Sequence, residues 1–146
     1  MTSVRRIYTD TEALALGKRA VACKAWHRTP GMRAIDGSRV VQVGESVRRG
    51  DGAPLSGCLV WTLPADCSSL LPDLRDHATI GGLLALVREA WDDARISTYA
   101  VKMKGQHWWN VGVPWEADSG GRFCATAPSE AEALVLALEA AASRRP

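Results

Sequence analysis

The sequence predicts an α+β fold, on three observations. Residues 77–92 carry an apolar stripe at helical period. Residues 96–113 change to period two around a glycine turn. A second helix with its own start signal follows at residues 129–142. Consecutive strands between two helices imply an antiparallel sheet with the helices packed on one face. The expected molecule is one compact domain over residues 1–146, with a smaller β-rich N-terminal lobe (1–69) leaning on an α-β-β-β-α sandwich (70–146).

The core helix is the clearest element. At about 100° per residue, Ile80, Leu83, Leu84, Leu86, Val87, Ala90 and Trp91 fall in one arc of roughly 160°. Arg88, Glu89, Asp92 and Asp93 fall outside it. Asp76 is placed to cap the first turn. Burying five of the large side chains in that arc is worth on the order of 10 kcal/mol before entropy is subtracted, as much as the net stability of a whole domain. Gly81 and Gly82 both lie off the stripe, where each costs about 1 kcal/mol relative to Ala. Either the helix begins after Gly82, or another backbone, from this chain or a partner, approaches closely.

The runs Ile96–Lys104 and His107–Val113 flank Gly105-Gln106, which suits a type II′ hairpin. Alternation puts Trp109, Val111 and Val113 on one face and Trp108, Asn110 and Gly112 on the other. The first set reads as inward. Arg122–Thr126 is a third strand. Ser129 with Glu132 forms a capping box. It opens a helix whose Ala131, Leu134, Val135, Leu138 and Ala142 share a face.

In the N-terminal half, Thr9 and Glu12 form another capping box. The expected helix is short and ends at Gly17. Lys18–Trp26 then alternates as a strand, with Val21, Cys23 and Ala25 on one face. Ser38–Val43 and Cys58–Leu63 read as strands, separated by a glycine-rich connector over 44–57.

Composition is that of a soluble domain, with 47% hydrophobic and 23% charged residues. The formal charge of +2 is too small to argue for a nucleic-acid or membrane surface. Arg5-Arg6 could start a signal peptide, but Asp10, Glu12, Lys18 and Arg19 interrupt any apolar stretch behind it. The expected setting is therefore the cytoplasm, with Cys23, Cys58, Cys67 and Cys124 as reduced thiols lacking any CxxC pair.

No reactive motif stands out. His27, His77 and His107 have no metal-binding spacing, so no metal and no cofactor are expected. Cys124 and His107 form the one Cys–His pair that adjacent strands could bring together, and Cys124 reads first as a small core residue. Asp92-Asp93 sits at a helix C-terminus, where the dipole disfavours it. The chain holds six tryptophans against one phenylalanine and two tyrosines. Trp108 either lies under the N-terminal half of the chain or serves as a platform for a planar ligand or a partner.

The helix-strand-strand-strand-helix order, with Leu71–Trp91 (LPDLRDHATIGGLLALVREAW) at one end and Phe123–Ala141 (FCATAPSEAEALVLALEAA) at the other, resembles the phage ABA-sandwich domain. That resemblance covers about residues 70–143 and implies a two-layer fold in a phage or prophage setting, with no functional residue carried over. Ala13–Trp26, followed by Gly31-Met32, looks like the opening of the phage anti-Thoeris sponge family. This implies binding of a cyclic ADP-ribose-type immune signal without cleavage.

The expectation is a non-catalytic phage accessory protein acting in the host cytoplasm. It would counter host defence by sequestering a nucleotide-type small molecule or by blocking a host immune protein. The alternatives are a virion or assembly component, or a small enzyme without a recognisable motif. Trp108, Asn110, Trp26 and Arg28 are the candidate binding residues, since a pocket for a planar anion needs aromatic, amide and basic groups together. Homo-oligomerisation is left open.

Overall fold

Three helices and three strands make up the architecture in this computed structural model, which describes residues 9–29, 31–35, 71–114 and 121–144. In chain order these are α1 (Asp10–Ala22), α2 (His77–Trp91), β1 (Ser97–Met103), β2 (Gln106–Val113), β3 (Arg122–Ala127) and α3 (Glu130–Ala142). The strands form one antiparallel sheet in the order β1-β2-β3. The α+β class is therefore as expected.

Each helix starts where a side chain can satisfy its free N–H groups. Thr9 and Glu12 form the reciprocal capping box of α1. Asp76 accepts from the Thr79 N–H at 3.0 Å and from the Thr79 hydroxyl at 2.9 Å. Ser129 Oγ accepts from the Glu132 N–H at 3.3 Å.

The central helix is α3, which lies against β2 and β3 and carries α2 and α1 on its other flanks. Ala133, Leu134, Val135, Ala137 and Leu138 are completely buried. Such alanine-rich walls let neighbouring backbones approach closely, and Trp91 Nε1 of α2 donates to the Ala137 carbonyl at 2.8 Å. Arg19 of α1 grips Glu139 of α3 with two bonds of 3.0 Å. From α2 the core takes Leu83, Leu86 and Val87, while Ile80, Leu84, Ala90 and Trp91 are half-buried around it.

Two local expectations are corrected. The strand expected over Lys18–Trp26 is not there, because α1 continues through Gly17 to Ala22. Lys18, Arg19, Ala20 and Ala22 are good helix formers, and they outweigh a loose alternation. Gly17 is buried mid-helix because a Cβ there would lie 3.0 Å from the Pro72 carbonyl oxygen. The hairpin loop is also shifted by one residue: Lys104 and Gly105 form it, both with positive φ (49° and 78°). That is the type I′ pattern, which matches the strand twist. The shift leaves the alternation along β2 unchanged.

The segment 31–35 runs antiparallel to the approach to α2. Asp73 N–H donates to the Arg33 carbonyl at 2.8 Å and Ile35 N–H to the Leu71 carbonyl at 2.9 Å. Of the N-terminal lobe, the described residues thus give a helix, a loop and this contact. The strands expected at Ser38–Val43 and Cys58–Leu63, and the connector between them, lie outside the described residues.

Candidate functional site

The outer face of the sheet is built by the alternation of β2. Val111 is fully buried and Trp109 packs on the core, so Trp108 and Asn110 point away from α3. Register adds their neighbours. Tyr99 of β1 and Thr126 of β3 flank Asn110, Val101 lies opposite Trp108, and Phe123 lies opposite Gly112. A bulge between Val111 and Gly112 resets β3, which puts both Thr126 and Phe123 on this face.

Three properties distinguish this face. It carries no charged side chain from Tyr99, Val101 and Met103 through Trp108 and Asn110 to Phe123 and Thr126. Its two ends expose large apolar groups, Phe123 at 62% and Met103 at 47%, the exposed large hydrophobics among the described residues. At its centre, Asn110 Oδ1 and Thr126 Oγ1, on directly opposed residues, are shut off from water and have no hydrogen-bond partner. An unpaired buried oxygen costs about 1–3 kcal/mol, so two on adjacent strands are an expensive arrangement. Among the described residues, α3 is the helix that packs most extensively on the sheet, and it does so on the inner face.

Trp26 and Arg28 lie elsewhere. They belong to the loop after α1, where Trp26 packs half-buried on the helical core and the adjacent His27 pairs with Glu89 of α2 at 3.1 Å. The four candidate residues therefore divide between the outer sheet face and the helical side. They do not converge on one pocket.

The same loop settles the glycine pair. The helix does not begin after Gly82, since α2 starts at His77. Gly81 faces open space, whereas a Cβ on Gly82 would sit 2.6 Å from Thr29 Oγ1 and 2.8 Å from Met32 Cε. Side chains of this chain's own loop, rather than the expected backbone, crowd Gly82, and nothing crowds Gly81.

The remaining chemical candidates separate. Cys124 lies beside the bulge, opposite the Val111–Gly112 step, while His107 is exposed near the hairpin and pairs with Lys102. No Cys–His couple forms. Burial raises the Cys124 thiol pKa, against the pull of Arg122 and Arg144. Burial likewise raises that of Cys23. Both are free thiols in their less reactive protonated form. Among the described residues, no group of three or more His, Cys, Asp and Glu side chains could hold a metal ion. No helix among them is long and apolar enough to cross a membrane.

The acidic pair at the end of α2 has a structural explanation. Asp92 takes the left-handed cap conformation at φ 51°. Asp93 is gripped by Arg95 Nε and Nη2 at 3.0 Å each, which holds its carboxyl pKa down at about 2. Sequence reasoning missed this; the available signal was Arg95 two residues on, at the reach of a turn. It also missed Tyr99, Thr126 and Phe123, whose face depends on register and on the bulge.

No family model matches the chain, and neither a curated protein nor a solved structure matches it.

Proposed function

We propose that this protein acts without catalysis, by binding another protein through the outer face of its sheet. The observation that carries the reading is the unpaired couple Asn110 Oδ1 and Thr126 Oγ1 at the centre of an uncharged, aromatic-flanked face. The fitting partner presents an uncharged apolar patch with N–H donors. A strongly charged partner would be desolvated there with nothing to pair it. Both oxygens are closed to water in the free chain. The partner therefore reaches them by displacing a neighbour, and Trp108 and Tyr99 are the half-buried side chains beside Asn110. Small-ligand sites are concave, and the division of Trp26 and Arg28 from Trp108 and Asn110 favours a protein partner over a sequestered nucleotide. The resemblance to phage proteins makes a host immune protein the partner class, and blocking it the role.

The test has two arms. A thermal-shift screen with cyclic nucleotides and ADP-ribose derivatives should show no stabilisation. Proteins retained from host lysate should be purified and titrated against wild type, W108A and F123S. The expected result is one partner whose affinity falls by about 30-fold or more in W108A, the scale of an interface hot spot, with the fold unchanged. Equal affinity for all three proteins would overturn the reading. So would stabilisation by a small nucleotide that W108A leaves intact.

A further inference from the structure

A second polar cluster lies at the corner where α2 ends and β3 begins. Three arginines from different elements meet around Asp93 and Trp91. Arg95 holds Asp93 with Nε and Nη2 at 3.0 Å each. Arg122 Nη1 lies 3.7 Å from the same Asp93 Oδ2 and donates to the Trp91 carbonyl at 3.2 Å. Arg144, just past α3, stacks its guanidinium on the Trp91 ring, 4.3 Å from the centroid.

The cluster has more donors than its structural contacts use. Asp93, with a side chain 7% exposed, is the one carboxylate among the described residues that these guanidiniums contact, and Arg95 occupies both of its oxygens. Arg122 spends only Nη1 on its contacts, so Nε and Nη2 remain. Arg144 lays its guanidinium over the Trp91 ring and, among the described residues, its side chain makes no hydrogen bond, so its N–H groups remain unused. The C-terminal ends of α2 and α3 and the Asp92 carboxylate offset part of the positive charge. They cannot accept the unused donors, which are oriented as rigid forks suited to oxyanions.

We propose that the Arg95–Arg122–Arg144 corner binds a phosphate-type dianion, either free phosphate or a phosphoryl group carried on a larger molecule. Arg122 is the central donor. Asp93 acts as a positioning residue, holding Arg95 beside it and keeping the cluster from collapsing through like-charge repulsion. The Trp91 ring fixes Arg144. This site is independent of the outer sheet face.

The experiment is calorimetric titration of the full chain at pH 8 and fixed ionic strength, with inorganic phosphate in one arm and phenyl phosphate in the other. Saturable binding is expected in at least one arm. It should weaken about tenfold or more in R122Q and in R144Q, each of which removes charge-assisted bonds. R122K, which keeps the charge but loses the fork, should fall between them and wild type. R144Q lies at an exposed helix end, so it tests the site even if R122Q does not fold. Tighter binding of phenyl phosphate than of phosphate would assign the site to a carried phosphoryl group, and the reverse to the free anion. Lack of saturation in both arms would overturn the proposal, as would unchanged affinity in R144Q and R122K.

Discussion

The two faces of the three-stranded sheet come from the same strands by the same alternation, yet they treat polar atoms in opposite ways. On the inner face Trp109, Val111, Ala125 and Ala127 pack in or on the core shared with α3, and a polar residue there, Thr98, donates its hydroxyl to Glu130 at 2.6 Å. On the outer face Asn110 and Thr126 each leave a buried oxygen unpaired, while Phe123 stands exposed. The inner face is filled for stability. The outer face leaves two buried oxygens without a partner, at a cost in stability that the inner face avoids. The pleat thus keeps a packed face and an uncharged, partly exposed face apart on one set of strands.

The bulge joins these faces, so breaking it should have the largest effect. A Cβ on Gly112 would run into the Arg122 carbonyl oxygen across the β2–β3 junction. Backbone cannot step aside as a side-chain tip can, so Gly112→Ala should cost at least about 3 kcal/mol. Denaturant unfolding measures this. A loss under about 1 kcal/mol would mean that the strands meet in a different register.

The tryptophan pair comes next and reads the comparison directly. Trp109→Ala removes a side chain packed on the core and should cost about 3 kcal/mol. Trp108→Ala removes one from the outer face and should cost well under 2 kcal/mol. Paired denaturation curves decide the matter, and equal large losses would make Trp108 part of a second core.

Much of the fold was legible because it depends on local chemistry. The caps at Thr9, Asp76 and Ser129, the α2 stripe and the β2 alternation follow from spacing alone. The length of α1 was not legible, because Gly17 reads as a stop signal unless Pro72 is known to press against it. The outer face was half legible: Trp108 and Asn110 follow from period two, but Tyr99, Thr126 and Phe123 need register and a bulge that no residue announces. Gly81 and Gly82 look identical in sequence and differ only through Thr29 and Met32. They should respond with opposite signs. Gly81→Ala, in open space, should stabilise by about 1 kcal/mol. Gly82→Ala should gain no such benefit and lose about 1 kcal/mol as Met32 and Thr29 shift. Melting curves of the two variants suffice, and equal stabilisation by both would show the 23–35 loop to be loosely held.

The smallest effect is the most discriminating between the faces. Thr126→Val replaces a hydroxyl that has no partner by a methyl group of similar shape, in a strand where a β-branched residue is favoured. Removing an unsatisfied buried group relieves its desolvation cost, so the free protein should gain up to about 1 kcal/mol. The inner-face counterpart, Thr98→Val, breaks the bond to Glu130 and should instead lose about 1 kcal/mol. If the outer oxygens are held for a partner, Thr126→Val should bind that partner more weakly while melting higher. That opposition between stability and binding is the mark of a group retained for recognition. Differential scanning calorimetry with one binding titration reads both quantities. A Thr126→Val protein that is destabilised would show that the hydroxyl is already satisfied, and the two faces would then no longer differ in kind.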